Sequence, residues 1–85
     1  MKLLLTEPFR RRYNRLPAEV QDQVDRKLTL LLSNSRHPSL QVKKMQGVSG
    51  IWELRITHGY RLTFQIQGDL YLLRNVGPHD VLRNP

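Results

Sequence analysis

Two stretches of strict alternation constrain this chain more than anything else in it. Trp52, Leu54 and Ile56 are separated by Glu53, Arg55 and Thr57; a few residues on, Leu62, Phe64 and Ile66 are separated by Arg61, Thr63 and Gln65. An apolar residue at every second position puts one set of side chains on each face of a strand, with one face buried. The two strands are close enough to form an antiparallel hairpin. Directly opposed residues share a face, so even-numbered apolar residues must oppose even-numbered ones, and the loop must be odd in length. A three-residue loop Thr57-His58-Gly59, with Gly59 in the left-handed region, meets that requirement. Leu54 then faces Leu62, and Trp52 faces Phe64. On the other face Arg55 lies opposite Arg61, and Glu53 opposite Thr63.

The remaining segments follow from local signals. Lys2 to Thr6 reads as a short Leu-rich strand. Pro8 suits a first helical turn, and Phe9 to Asn14 continues it until Leu16-Pro17. Pro17 starts a second helix that runs to about Ser33. Its apolar positions Val20, Val24, Leu28, Leu31 and Leu32 form one stripe, and Pro38 forbids continuation. Gly68-Asp69 reads as a two-residue turn with Gly first. That register puts Arg74 opposite Thr63, on the face of Arg61. Lys43 and Lys44 fall on a preceding strand, one to each face. The order is β-α-α-β-β-β-β. It predicts an α+β domain over residues 1–85, with two N-terminal helices packed on one face of a twisted, mainly antiparallel sheet of four to five strands.

Eighty-five residues suffice for one modest core and not for two. The absence of cysteine excludes disulfides, thiol nucleophiles and cysteine metal sites, and fits a reducing cytoplasm. No apolar run approaches the roughly 20 residues of a membrane helix. Leu3-Leu4-Leu5 is too short for the apolar part of a signal peptide. The expectation is a cytoplasmic protein without a membrane partner. Its charge is the first functional clue: 14 Lys and Arg against 7 Asp and Glu, a net of +7. Ten of the bases are Arg, whose planar fork suits phosphate. Residues 1–15 alone carry Lys2, Arg10, Arg11, Arg12 and Arg15 against Glu7. A small basic domain of this kind meets nucleic acid or an acidic protein.

The alternation gathers Arg55, Arg61, Arg74 and one of Lys43 and Lys44 on the face turned away from the helices, with Glu53 among them. Cations on a pleated face suit a polyanion backbone. With a base and an acid added, the same groups can cut RNA. The 2′-OH attacks the adjacent phosphate, cations stabilise the transition state, and an acid protonates the leaving oxygen. His79 is the candidate acid, histidine being the side chain that titrates nearest neutrality, and Glu53 the candidate base. Plainer readings stand beside these. Glu53 serves equally as a salt-bridge partner. His58 reads as an idle loop residue and His37 as a turn residue. The three His lack the spacing of a zinc site, so neither metal nor small-molecule cofactor is expected. The main helix carries Glu19, Asp22 and Asp25, which argues against its entering a DNA groove.

The runs His37–Met45 (HPSLQVKKM), Gly50–Phe64 (GIWELRITHGYRLTF) and Asn75–Pro85 (NVGPHDVLRNP) resemble the RelE/ParE superfamily of toxins. The resemblance covers almost the whole chain, including the Leu16-Pro17 break. It implies the toxin half of a toxin–antitoxin module with a cognate antitoxin as partner. For the RelE branch it further implies a ribosome-dependent, metal-independent endoribonuclease acting on mRNA. By the same resemblance Arg61 holds phosphate, Arg55 occupies a basic position, His79 falls at a catalytic position, and Lys44 matches a basic position. Lys43, Arg74 and Arg83 complete the expected RNA contacts. One departure stands out: some nuclease members carry a functional Tyr soon after the His79 position, and Asp80–Pro85 has none. A gyrase-directed toxin of the ParE type, or a non-catalytic antitoxin-binding module, is the alternative.

Overall fold

Along the chain lie β1 (Lys2–Leu5), α1 (Glu7–Asn14), α2 (Ala18–Ser33), β2 (Lys43–Lys44), β3 (Trp52–Thr57), β4 (Tyr60–Gln67) and β5 (Leu70–Pro78). Two 3₁₀ segments, Pro38–Leu40 and His79–Arg83, complete the elements of the computed structural model, which describes all 85 residues. The strands form one sheet in the order β1-β5-β4-β3-β2. β1 runs parallel to β5, and every other neighbouring pair is antiparallel. The fold is α+β, with both helices on one face, as the alternation predicts.

Thr6 starts α1 and ties it to the sheet. Its hydroxyl oxygen accepts from the Phe9 N–H at 3.4 Å and donates to the Leu73 carbonyl at 2.8 Å. Pro17 caps α2 without a side-chain bond. The stripe Val20, Val24, Leu28 and Leu31 is buried, and with Phe9 it meets Leu54, Leu62, Phe64 and Leu73 of the sheet in one core. Each such side chain contributes about 1.5–3 kcal/mol by leaving water. Tyr71 joins edge-on to Phe64, ring centroids 5.5 Å apart. No helix is long and apolar enough to cross a membrane.

The hairpin pairs are those that parity demands: Trp52 with Phe64, Glu53 with Thr63, Leu54 with Leu62, Arg55 with Arg61. The loop differs from expectation. Thr57 pairs with Tyr60, leaving a two-residue turn His58-Gly59, and Ile56 is an extra residue in β3. This bulge, with Ile56 turned into the core at 2 % exposure, supplies the odd count that a longer loop would have given. Gly59 is therefore spared the left-handed conformation, while Gly68 in the next turn adopts it at φ +59°. A second bulge corrects the β4–β5 register. Phe64 opposes Leu73 but Thr63 opposes Asn75, so Arg74 has no direct partner, contrary to the Thr63–Arg74 pairing expected.

Candidate functional site

The helix-free face of the sheet is a grid of two rows. One row runs Lys43–Glu53–Thr63–Asn75 across β2, β3, β4 and β5. The next runs Arg55–Arg61–Gly77 across β3, β4 and β5. In the first row Lys43 Nζ lies 3.7 Å from the Glu53 carboxylate, and Glu53 is nearly buried. This is the sole ion pair in a chain with 14 Lys and Arg. None of the ten arginines pairs with an Asp or Glu.

The second row holds two like charges directly opposed, an arrangement that destabilises a sheet. Local acceptors offset it. Arg61 Nη1 donates to three carbonyls of the hairpin turn, Thr57 at 2.7 Å, Tyr60 at 3.0 Å and His58 at 3.1 Å. Arg55 Nη2 lies 3.3 Å from His58 Nδ1. His58 is thus exposed but engaged, not idle. The other N–H groups of Arg61 make no bond within the chain.

The 3₁₀ segment His79–Arg83 crosses this face, a feature the alternation could not predict. It packs on β4 and β5, buries Val81 and covers Thr63 completely. The Thr63 hydroxyl donates to the Pro85 oxygen at 2.9 Å, and Arg74 Nε donates to the same oxygen at 3.1 Å. Arg74 Nη1 also donates to Gln65 at 2.6 Å. His79 opens this segment, exposed, directly after Pro78, which pairs with Tyr60.

No family model matches the sequence, and no curated protein matches it. Solved structures do. The RelB–RelE antitoxin–toxin complex of Methanococcus jannaschii aligns with a TM-score of 0.76 at 20% identity, covering 95% of both chains. The YoeB/ParE toxin of Agrobacterium tumefaciens gives 0.77 at 18% identity, over 93% of this chain and 99% of that one. The intact RelBE toxin–antitoxin complex of E. coli gives 0.71 at 23% identity, over 89% and 93%. The chain has the RelE-like fold.

Within that RelE-like sheet the sequence-derived residues separate into two groups. Arg55, Arg61, Glu53, Lys43 and Arg74 come together on the helix-free face, and His79 is exposed where β5 ends. Arg83 is exposed on the crossing 3₁₀ segment without a partner. Lys44 does not join them. It pairs with Trp52, and its Nζ lies 5.9 Å from the indole centre, on the other face at the sheet edge. Alternation had allotted one lysine to each face; the Glu53 pairing decides that Lys43 has the helix-free one.

Three arginines that the sequence argument left unplaced also reach this region. Arg11 and Arg12 of α1 and Arg15 just after it, with Pro8 and Asn75, line a cleft of about 210 Å³ beside β5. The signal was present in the charge of residues 1–15, but the α1 position along β5 was not. The acids of α2 do not neutralise them. Asp25 accepts from the Tyr13 hydroxyl at 2.7 Å. That hydrogen bond, with burial and the charges of Asp25 and Asp22, pushes the Tyr13 phenol up to about 12.

Proposed function

We propose that this chain is the toxin of a toxin–antitoxin module, silenced by a cognate antitoxin, and that it cuts mRNA on the ribosome without a metal. The observation that carries the reading is the Arg55–Arg61 row, unpaired with any carboxylate and directly opposed on the face away from the helices. Such a row destabilises the free protein and is relieved by a bound polyanion. The RelE-like fold, common to neighbours solved with the antitoxins RelB and DinJ, supports the toxin class and the antitoxin partner.

In the proposed reaction Arg61 and Arg55 hold the scissile phosphate. Glu53, the sole acid of the two rows, takes the proton from the ribose 2′-OH. That oxygen attacks phosphorus, and the P–O5′ bond breaks. His79 gives its proton to the departing O5′, leaving a 2′,3′-cyclic phosphate and a 5′-hydroxyl. Lys43, Arg74 and Arg83 orient the strand. For Glu53 to act, the Lys43 ammonium must exchange its carboxylate for phosphate when RNA binds, a change that its 70% exposed side chain permits.

The test is induction in a host lacking the antitoxin, with growth and mRNA 5′ ends followed together. New 5′ ends inside translated frames are expected, falling about 100-fold in Arg61→Gln, the loss typical of one transition-state donor. Glu53→Gln should lower cleavage by at least 100-fold if the carboxylate is the base. Arrest with intact mRNA would favour a gyrase-directed toxin, and no arrest a non-catalytic binding module.

A further inference from the structure

Gly77 shows where the arginines of α1 go. A methyl group at this position would meet Nη2 of Arg12 at 2.7 Å, closer than real side chains tolerate. Gly77 pairs with Arg61, so the Arg12 guanidinium lies on the helix-free face, one strand beyond Arg61. β1 covers β5 only as far as Leu73. Past that point α1 packs along β5 and reaches over its edge. The row Arg55–Arg61–Gly77 is therefore a row of three guanidinium groups, the third delivered from a helix.

Arg12 leads into the cleft it shares with Arg11, Arg15 and Asn75. No acid answers this charge. Glu7, one turn before Arg11, is not within 4 Å of any arginine. Arg11, in the last turn of α1, and Arg15, its C-cap residue, carry like charge four residues apart. The cleft adjoins a second depression of about 350 Å³ that includes Arg74, the two sharing Pro8 and Asn75. A trough lined by Arg11, Arg12 and Arg15, none of them paired with an Asp or Glu, thus leads away from the Arg55–Arg61 row along the edge of β5, ending at Arg74, which is already bonded to Gln65 and the Pro85 oxygen.

We propose that this trough is a second phosphate-binding subsite, in which Arg11, Arg12 and Arg15 hold backbone phosphates of the RNA strand next to the one being cut. It rests on the RNA-directed reading above but not on cleavage. Guanidinium forks around a polar cleft suit the phosphodiester chain better than a base, so the subsite adds affinity without sequence preference. Gly77 is there assigned a positioning role, keeping the path of Arg12 clear.

The experiment is binding of a 2′-O-methyl decaribonucleotide, which cannot be cut, by fluorescence anisotropy from 50 to 300 mM salt. The double variant Arg11→Gln/Arg15→Gln, both positions exposed and so tolerant, should bind about 10-fold more weakly at 100 mM. The slope of log affinity against log salt should fall by about 1.4, the value for two phosphate contacts on a single strand. Gly77→Ala should shift the end of Arg12 and weaken binding, by less than Arg12→Gln does, and its thermal melt separates displacement of Arg12 from misfolding. Unchanged affinity and slope in the double variant, with binding lost in Arg61→Gln, would overturn the subsite while leaving the nuclease reading intact. Weakened binding in the double variant of a chain that cuts no mRNA would uphold the subsite and overturn the nuclease reading. Unchanged RNA affinity with weaker binding of polyglutamate would overturn it in favour of an acidic protein partner.

Discussion

The two faces of the sheet are built by alternate residues of the same strands, yet they answer different demands. On one face Leu54, Leu62, Phe64 and Leu73 are at most 1% exposed, sealed under α1 and α2. On the other, Arg55 and Arg61 oppose each other, and a single 3₁₀ segment supplies what burial there is. The first face is satisfied within the chain. The second leaves guanidinium groups without carboxylates, a local choice that works against folding. Side chains that conflict with stability at one coherent place mark a site made for a partner. The contrast also explains why β3 and β4 tolerate the Arg55–Arg61 opposition: their apolar neighbours anchor the register from behind.

The comparison breaks most visibly on the packed face. Leu62→Ala should cost about 2–5 kcal/mol in urea denaturation, because no solvent can fill the space beneath the helices; a loss below 1 kcal/mol would mean the two faces are not so different. Its neighbour Arg61→Gln should do the opposite, reducing cleavage about 100-fold while stability stays within about 1 kcal/mol. Thr63→Val lies between these cases. It removes the hydroxyl that holds Pro85, and should cost about 1 kcal/mol and speed hydrogen exchange in the 79–83 segment. The smallest effect belongs outside both faces, at Tyr13→Phe, with about 0.5 kcal/mol expected for an exposed hydrogen bond. The pH dependence has a definite sign. Folding raises the Tyr13 phenol from 10.0 to about 12, so its contribution is full below pH 10 and disappears as pH climbs through 12. A stability profile that is flat over that interval in the wild type would remove Asp25 as the partner.

Much of this was legible before any coordinates. Period-two alternation carries register as well as strand identity, so all four hairpin pairs from Trp52–Phe64 to Arg55–Arg61 followed from parity. The same reasoning missed the bulges at Ile56 and Arg74, because an inserted residue changes the count without changing composition. Arg74 still reached the expected face, since a bulged residue and its successor point to the same side. Lys43 and Lys44 were undecidable because a two-residue strand has no pattern of its own. The crossing segment His79–Arg83 and the reach of Arg12 depend on tertiary packing, and the glycine that makes room for Arg12 resembles any other turn glycine in the sequence.

The parallel pairing of β1 with β5 has a consequence in time. Lys2 meets Leu70, 68 residues later. At about 5–20 residues per second, β1 waits about 3–14 s during synthesis for the strand that completes its ladder. Thr6 waits equally long for the Leu73 carbonyl that anchors α1, and Arg12 for the glycine it crosses. Until residues 70–78 emerge, a growing chain has neither its full sheet nor the third guanidinium of the row. The helix-free face, with its opposed arginines and the glycine that Arg12 crosses, is thus among the last parts of the molecule to be completed as the chain is made.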